Sequence, residues 1–394
     1  MKGFKRIQLG NVAELITKGT TPTTLGYDFQ DEGINFLKIE CFDENGELIP
    51  EKVAFISDEC NEKLKRSQLK AGDILFSIAG AIGRVASVTD GMLPANTNQA
   101  LAIIRITDEN VYLPYIKLIL TSPIVKRQFE NKKQGVAQLN LSLKDINEIV
   151  IPLPDRKRQE EYAELFEKLY KVIALRNTQL SNMDNLIKAR FVELFGDPVH
   201  NDKGWETDSV ENLCNEIYGG GTPSKSHQEY YEDGDIPWVS SKDMKSDVIT
   251  DSQIHITQLG VYNSTAKMVP INSVIMVIRS GILKHTLPVA INSVPVTVNQ
   301  DLKVFIPGER ILTRFLAVQF KMHEKDILSG VRAVTADNIE FNSLKQRNMI
   351  VPPIELQQRY VSTLEQVDKS KVAIQKSLEK IQFLFDSLMQ KYFG

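Results

Sequence analysis

The chain has 394 residues, 25% of them charged, and a formal net charge of −3 at pH 7. At about 100–200 residues per domain, this length predicts two or three domains that can each bury a core. The slightly acidic charge argues against indiscriminate binding to polyanions, and no apolar run approaches the ~18 residues that a membrane span needs. Three cysteines without metal-ligand spacing and an N-terminus without an apolar signal-peptide core predict reduced thiols in a cytoplasmic protein.

Residues 1–153 predict a strand-rich α+β domain. Short runs of β-branched and apolar residues are separated by Gly, Pro, Asn and Asp, which is the expected strand signal. The predicted strands include 34–39, 73–78, 100–106 and 148–151. Apolar residues at three- and four-residue spacing over 114–129 predict a helix within this domain.

Residues 154–196 predict one long helix. Pro152 and Pro154 end the preceding strand, and Gly196 followed by Pro198 marks the end of the helix. A helix of about 37 residues is ~55 Å long. Its apolar stripe, interrupted by a polar Asn177, consists of Phe166, Leu169, Ile173, Leu180, Met183, Ile187 and Phe191.

Residues 197–353 and 354–394 repeat this organisation. The second domain has predicted strands at 236–240, 273–278, 302–306 and 348–351 and a predicted helix over 311–328. The matched segments include Gly19–Pro22 with Gly220–Pro223, Asn98–Leu101 with Asn299–Leu302, Ser142–Lys144 with Ser343–Lys345, and Phe195–Gly196 with Phe393–Gly394. A unit of this length is a whole domain plus a helix, because solenoid repeats have periods of roughly 20–50 residues.

The second long helix carries a heptad seam, which is the pattern of a coiled coil. Its seam residues are Leu364, Val367, Ile374, Leu378, Ile381, Phe385 and Leu388. Each helix alone would expose an apolar stripe. We therefore expect two similar strand-rich domains separated by two long helices that pack as an antiparallel coiled coil, with a pseudo-two-fold internal repeat.

Two similar domains held by a rigid rod suit a ligand with two separated halves. Dimeric DNA-binding proteins read half-sites about 34–36 Å apart, one turn of the duplex. A single chain with two non-identical domains could read an asymmetric bipartite site. Other two-part ligands remain possible from this geometry alone.

Several motifs, in this order and doubled, resemble the specificity (S) subunits of Type I restriction–modification systems. The motifs are Gly19–Pro22 and Gly220–Ser224, Trp238–Asp243, Gly80–Ala86, Asn98–Gln99 and Asn299–Gln300, Ile151–Pro154 leading to Gln159, Val351–Pro353 leading to Gln358, and Leu194–Pro198 with Gly204–Trp205. The resemblance covers nearly the whole chain. It departs from the family at Arg158 and Gln357, where the family has an acidic residue before the helix-opening glutamine. The turn at 80–86 also has no clear copy near 279–283.

The resemblance implies that the chain is the DNA sequence-recognition subunit of a restriction–modification complex. Each target-recognition domain would lie in the major groove of one half of a bipartite site, and the helices would set the spacer and dock two methyltransferase (M) subunits. The M subunits would methylate adenine with S-adenosylmethionine, and motor-nuclease (R) subunits would use ATP and Mg²⁺. The chain itself would bind no cofactor or metal and would be non-enzymatic.

The sequence supports the non-enzymatic prediction independently. It has no Asp/Asn-Pro-Pro-Tyr/Phe tetrapeptide and no Gly-x-x-x-x-Gly-Lys-Ser/Thr phosphate loop. Its five histidines include no His-x-x-x-His pair, which disfavours a metal site.

Base readout needs paired donors and acceptors, and phosphate contacts need Lys, Arg, Ser or Thr near turns. In the first domain the candidate DNA-binding residues are Thr20, Thr21, Lys38, Arg84, Asn96, Asn98, Lys132, Lys133, Gln134 and Gln138. In the second they are Thr222, Ser224, Lys225, Ser241, Lys242, Arg279, Lys284, His285, Arg332 and Asn338. Asn98 could instead cap a turn without touching DNA. Lys242 could instead be an ordinary solvated surface charge.

Neither domain is basic: Lys and Arg number 18 against 19 Asp and Glu over 1–153, and 15 against 19 over 197–353. Tight DNA binding is therefore expected only with the M partners.

Three interpretations remain open: a DNA-reading subunit, a protein-binding scaffold with the helices as a dimerisation rod, and an enzyme with an unrecognised site. A variant of the first is the recognition chain of a Type IIB-like methyltransferase–nuclease that cuts on both sides of its site.

Overall fold

The computed structural model describes residues 4–130, 140–330, 332–333 and 337–393. The chain forms two compact units. The first consists of residues 1–177 and 375–394, and the second of residues 178–374. Each unit therefore contains one strand-rich domain together with parts of both long helices.

The first domain contains nine strands and four short helices within the described residues. The strands are β1 (Lys5–Gln8), β2 (Leu15–Lys18), β3 (Ile34–Leu37), β4 (Ala54–Ile56), β5 (Ile74–Ser77), β6 (Val85–Ser87), β7 (Ala95–Thr97), β8 (Leu101–Arg105) and β9 (Val150–Leu153). The helices are α1 (Asp58–Lys63), α2 (Leu113–Leu120), α3 (Pro123–Glu130) and α4 (Leu143–Asn147), and the long helix α5 (Arg156–Phe195) follows.

The first-domain strands form three sheets, in the orders β2-β8-β5-β6, β4-β3-β7 and β1-β9. All pairs are antiparallel except β3–β7, in which Leu37 lies opposite Thr97. The main core lies between the four-stranded sheet and α2, where Phe76, Ile104 and Ile116 are buried. Strand β5 is buried along its whole length because both faces of the sheet are covered.

The second domain contains twelve strands and five short helices within the described residues. The strands are β10 (Thr207–Ser209), β11 (Cys214–Gly219), β12 (Ile236–Val239), β13 (Val248–Ile249), β14 (His255–Ile256), β15 (Val274–Val277), β16 (Val289–Asn292), β17 (Thr297–Val298), β18 (Leu302–Pro307), β19 (Arg332–Ala333), β20 (Asp337–Asn338) and β21 (Asn348–Ile350). The helices are α6 (Val210–Leu213), α7 (Gln258–Tyr262), α8 (Thr313–Met322), α9 (Glu324–Ser329) and α10 (Phe341–Lys345), and the long helix α11 (Ile354–Phe393) follows.

The second-domain sheets repeat those of the first. Their orders are β11-β18-β15-β16-β13, β14-β12-β17, β10-β21 and β19-β20. The parallel pair β3–β7 recurs as β12–β17, in which Val239 lies opposite Val298. The second domain also has β13 at the sheet edge and the hairpin of β19 and β20. The segment of the first domain that corresponds to this hairpin, residues 131–139, lies outside the described residues.

The helix predicted over 114–129 is two helices, α2 and α3, and the helix predicted over 311–328 is α8 and α9. Pro123 opens α3, and because proline lacks an N–H and clashes with the preceding turn it cannot continue α2. His323 ends α8 and precedes α9. The apolar spacing predicted helical residues correctly in both places but did not predict the breaks.

For two pairs of residues that the sequence aligns between the two copies, the structure shows that the equivalent positions are different residues. The side chain of Ser142 caps α4, whereas Ser343 lies inside α10, whose cap is the carboxylate of Glu340. The counterpart of Gln159 is Gln357 rather than Gln358. Gln159 Oε1 accepts from Tyr112 N at 2.8 Å, and Gln357 Oε1 accepts from Leu312 N at 3.0 Å.

Within the first unit, the start of α5 packs against the end of α11. Phe166 lies 5.3 Å from Phe385 and 5.7 Å from Phe393, measured between ring centroids. Tyr162 lies 4.8 Å from Tyr392. These rings join the core of the first domain because Tyr115 of α2 lies 6.1 Å from Phe393.

Within the second unit, the end of α5 packs against the start of α11. The ring of Phe191 lies 5.5 Å from that of Tyr360, and the Tyr360 hydroxyl donates to Ile187 O at 3.1 Å. Lys371 Nζ lies 2.7 Å from Asp184 Oδ1. Phe315 of α8 lies 4.9 Å from Phe195, which ties the helices to the core of the second domain.

None of the fourteen predicted packing residues is exposed. The five that are buried are Phe166, Phe191, Leu364, Val367 and Phe385. The nine that are partly buried are Leu169, Ile173, Leu180, Met183, Ile187, Ile374, Leu378, Ile381 and Leu388. The sequence prediction missed the aromatic residues at the helix ends, among them Phe195 and Tyr360, because they pack on the domains instead of along the seam.

Candidate nucleic-acid interface

A tight turn between β7 and β8 brings together two of the predicted motifs in the first domain. The hydroxyl of Thr21 donates to Gln99 Oε1, across 78 residues of sequence. Gly19 N donates to Asn98 O at 3.2 Å. Asn98 Oδ1 accepts from Ala100 N at 3.1 Å, so its side chain holds the turn. Thr20 is partly buried beside this pair.

The second domain has the same turn between β17 and β18. Thr222 donates to Gln300 Oε1, and Asn299 Oδ1 accepts from Asp301 N at 3.1 Å. Gly221 N donates to Val298 O at 3.0 Å. In each domain, therefore, the Gly-x-Thr-Pro loop is hydrogen-bonded to the Asn-Gln turn.

The two basic candidates of the first domain that lie within the described residues, Lys38 and Arg84, contact neighbouring groups. Lys38 Nζ lies 4.7 Å from the centre of the Phe29 ring and 3.7 Å from Glu40 Oε1. Arg84 Nη1 donates to Phe42 O at 3.2 Å. Both side chains are partly buried, so each presents only part of its surface.

In the second domain, Arg279 Nε donates to Asp301 Oδ1 at 2.6 Å, next to the Gln300 turn. The backbone of Arg279 forms a bridge with Asn338, which in turn lies opposite Arg332 in the β19–β20 hairpin. Lys284 and His285 are exposed at the end of the 3₁₀ turn Gly281–Lys284. The fold thus brings the backbone of Arg332 and Asn338 to the region of Arg279, Lys284 and His285, although the two groups are distant in sequence.

The remaining second-domain candidates lie on two loops. Ser224 and Lys225 are exposed after Pro223, and Ser224 Oγ lies 2.7 Å from Ser226 Oγ. Ser241 is partly buried and Lys242 is exposed in the turn after β12. The Asp243 carboxylate accepts from Ser240 N at 2.8 Å and closes that turn.

One candidate is corrected by the structure. Asn96 is 0% exposed, and its amide donates to Asn61 Oδ1 at 2.9 Å and to Leu64 O at 3.2 Å. All of this amide's bonding is internal, so Asn96 has no atom available to a nucleic acid. Four further candidates lie outside the described residues: Lys132, Lys133, Gln134 and Gln138.

Sequence reasoning missed several exposed side chains near the same loops. Gln99 and Gln300 stand at the tips of the two turns. His227 stacks on Tyr230 at 4.8 Å, and Tyr262 of α7 is 84% exposed. The two glutamines could have been chosen as candidates from the sequence, because the Asn-Gln pair occurs at the same place in both copies. No sequence pattern marked the aromatic residues, because exposure depends on the packing of α7.

Each unit also contains a groove where its domain meets a long helix. The groove in the second unit is about 520 Å³ and is lined by the ion pairs Lys321–Asp247, Arg314–Asp368 and Lys371–Asp184. The pKa of Asp247 is lowered by Lys321, Lys371 and Arg314 against the opposing effect of burial. A groove of about 510 Å³ in the first unit lies between α2 and α5.

The described part of the chain contains no group of three or more His, Cys, Asp or Glu side chains that could hold a metal ion. Burial raises the pKa of the Cys214 thiol to about 12. In the same part of the chain, no helix is long and apolar enough to cross a membrane.

Both copies of the repeat match one known protein family. Residues 1–183 and 202–382 each match the Type I restriction modification DNA specificity domain. The chain belongs to this family. The two matches include both tight turns and most of both long helices, so each copy of the repeat corresponds to one specificity domain.

Individual relatives agree with this family. The specificity subunit of the type I restriction enzyme EcoR124I/EcoR124II of Escherichia coli is 31% identical over 293 residues, which cover 72% of this chain and 70% of that protein. The EcoBI specificity subunit of the same organism is 28% identical over 48% of this chain and 44% of that protein.

A solved type I specificity subunit from M. genitalium shares the fold, with a TM-score of 0.57 and 12% identity over 100% of this chain and 96% of that one. A chain solved in work on the assembly and conformational transition of the type I restriction–modification system has a TM-score of 0.61 and 18% identity, over 100% and 98% of the two chains.

Proposed function

We propose that this protein is the DNA sequence-recognition subunit of a Type I restriction–modification complex. In this function each specificity domain reads one half of a bipartite, asymmetric site. The doubled specificity domain is the observation that carries the proposal. One chain with two domains of this family has two DNA-reading surfaces of related design.

The differences between the two domains support an asymmetric site. Around the shared turn, the first domain has Ala100 where the second has Asp301 bonded to Arg279. Base readout depends on which donors and acceptors reach the groove, so unlike loops on a shared framework suit two unlike half-sites.

The long helices are proposed to set the spacer between the half-sites. Each helix has 40 residues, which corresponds to about 60 Å. In each unit the two helices pack on one another through aromatic rings that also join the domain core. This anchoring at both ends supports a continuous antiparallel coiled coil that holds the domains at a fixed separation.

The helices are also proposed to dock two methyltransferase subunits. Leu186 in the second unit and Leu384 in the first occupy equivalent places and are 52% and 47% exposed. Phe383 is 77% exposed. Exposed apolar side chains on otherwise polar helices are typical of protein interfaces. The near-neutral charge of both domains supports a DNA clamp that is completed by partner subunits.

Catalysis is assigned to the partners: methylation with S-adenosylmethionine to the M subunits, and ATP- and Mg²⁺-dependent translocation and cleavage to the R subunits. The alternative of a Type IIB-like recognition chain would use the same two DNA-reading domains. The genes next to this one distinguish the two arrangements.

The test is purification of the chain with the methyltransferase encoded beside it, followed by selection of bound duplexes from a random pool. We expect a salt-sensitive preference for a bipartite site. Insertion of one heptad after Asn177 and one after Ile374 should lengthen the spacer by about three base pairs, since seven helical residues span ~10 Å. Failure to recover any bipartite site, or an unchanged spacer after the insertions, would contradict the proposal.

Docking is tested with Phe383→Ser, which we expect to reduce co-purification of the methyltransferase strongly. Tyr262→Ser is the matched control, because Tyr262 is 84% exposed but lies on α7 of the second domain and not on a long helix. Equal loss of the partner in both variants would argue against docking on the helices.

A further inference from the structure

The Thr–Gln pair at each turn is the same in both domains, although the loops around it differ. Gln99 lies at the tip between β7 and β8, and Gln300 lies at the tip between β17 and β18. Both glutamines are exposed. In each case a threonine hydroxyl from the Gly-x-Thr-Pro loop donates to Oε1.

This hydrogen bond fixes the orientation of the amide. Because Oε1 faces the threonine hydroxyl, the two N–H groups of Nε2 point away from it. Across the described ranges, neither Gln99 Nε2 nor Gln300 Nε2 has a hydrogen-bond partner. Each turn therefore presents donors outward to solvent.

The glycines allow the loop to lie directly against the turn. A Cβ at Gly19 would lie 1.8 Å from Thr97 O, and one at Gly220 would lie 1.9 Å from Val298 O. Only glycine permits this approach of the loop to the turn. The asparagine before each glutamine binds the backbone two residues on, which closes the turn from within.

A feature that stays the same while its surroundings change should contact something common to both half-sites. Phosphates are common to every sequence and accept hydrogen bonds, whereas base edges differ between half-sites. An amide that reads adenine uses both its oxygen and its nitrogen. Here the threonine hydroxyl already engages the oxygen, which favours an acceptor-only ligand.

We propose that Gln99 and Gln300 each donate a hydrogen bond to a DNA backbone phosphate, one in each half-site. The two contacts set the register of each domain on the duplex without choosing its sequence. This inference rests on the proposed DNA-recognition function and adds the residues and the ligand group.

The test uses the complex of the full chain with its methyltransferase. Gln99→Leu and Gln300→Leu remove the donors and keep the side chain's size. We expect each variant to weaken binding about tenfold, equally for the selected site and for a scrambled duplex, with an unchanged base preference. Gln30→Leu and Gln258→Leu, at exposed positions off the turns, are matched controls that should bind like the unmodified protein.

Methylphosphonate scanning locates the contact. Replacing single phosphates by neutral methylphosphonates should reveal one sensitive phosphate in each half-site that loses its effect in the matching glutamine variant alone. Thr21→Val, which frees the Gln99 amide to rotate, should weaken binding by a smaller factor than Gln99→Leu.

Three results would overturn the inference. A changed preference at one base pair in Gln99→Leu would make the amide a base reader, and unchanged affinity would remove it from the interface; DNA recognition would stand in both cases. If the unmodified complex selects no duplex, the proposed function fails and this inference fails with it.

Discussion

The first and second domains share a framework but place their ion pairs differently. In the first, Arg105 pairs with Asp73 inside the sheet, with Asp73 1% exposed. Ile306 and Ser273 occupy the equivalent places in the second domain. The second domain instead has Arg279 on Asp301 at the surface turn. Duplication preserved strand order and turn geometry, while charges were free to change wherever the framework did not depend on them.

The largest expected effect tests whether the helix ends are equivalent in the two units. Phe195 and Phe393 are 0% and 1% exposed and each lies among several rings. Phe195→Ala and Phe393→Ala should each lower the free energy of unfolding by about 3–5 kcal/mol, because a buried ring is replaced by a cavity. Urea unfolding followed by circular dichroism measures this.

Fluorescence separates the two variants. Both tryptophans, Trp205 and Trp238, lie in the second unit. Phe195→Ala should therefore shift the fluorescence transition directly, since Trp205 lies 6.3 Å from Phe195. A Phe393→Ala variant as stable as the unmodified protein would contradict the equivalence of the two helix ends.

A smaller effect is expected at the buried ion pair of the first domain. Arg105→Ile should cost about 3 kcal/mol, because it leaves the Asp73 carboxylate buried and without its cation. The double variant Asp73→Ser with Arg105→Ile has the residues that the second domain has at these positions. It should recover most of the stability that Arg105→Ile loses. A double variant no more stable than Arg105→Ile would show that the two frameworks differ at this position in more than charge.

Destabilisation by histidine protonation should be confined to the second unit, which contains all five histidines. His323 is 2% exposed, and no partner for either ring nitrogen is present in the described structure. Burial, with a contribution from Arg347, lowers its pKa to about 4. The unfolded chain binds this proton near pH 6.5, so the stabilisation is present above pH 6.5 and is lost as the pH falls toward 4.

The expected loss is on the order of 3 kcal/mol by pH 4, relative to a variant without the histidine. His323→Leu should flatten the pH dependence of tryptophan-detected unfolding between pH 6.5 and 4. His200→Ala is the control, because His200 is exposed and its pKa is raised by Asp197. Parallel pH profiles for His323→Leu and the unmodified protein would contradict this assignment.

The smallest effect concerns the helix caps. Ser142 Oγ accepts from Asp145 N at 3.1 Å, whereas Glu340 Oε1 accepts from Asn342 N at 3.0 Å in the second domain. Ser142→Ala and Glu340→Ala should each cost about 1 kcal/mol in chemical denaturation. Ser343→Ala should have little effect by comparison. An equal loss of stability there would mean that Ser343 caps α10 as Ser142 caps α4, which would contradict the cap assigned to Glu340.

Much of the secondary structure was predictable because its signals are local. The heptad spacing predicted the residues that pack the long helices, and turn formers between β-branched runs predicted most of the strands. The breaks at Pro123 and His323 and the shifted cap at Glu340 were missed, because a repeat in sequence does not fix the exact register of short helices. The site was predicted less well. Asn96 was predicted to contact DNA, but it lies in β7 with its side chain buried and bonded to Asn61 of α1.

The sequence alone determined that the protein has two copies of one unit, where its long helices run, and which of their faces pack, because these depend on periodicities over a few residues. The tertiary structure decided which polar side chains face solvent and which are paired internally. Thr21 meets Gln99, and Arg279 meets Asp301, only because strands distant in sequence are hydrogen-bonded neighbours. Such contacts depend on how sheets close, and no local pattern encodes that closure.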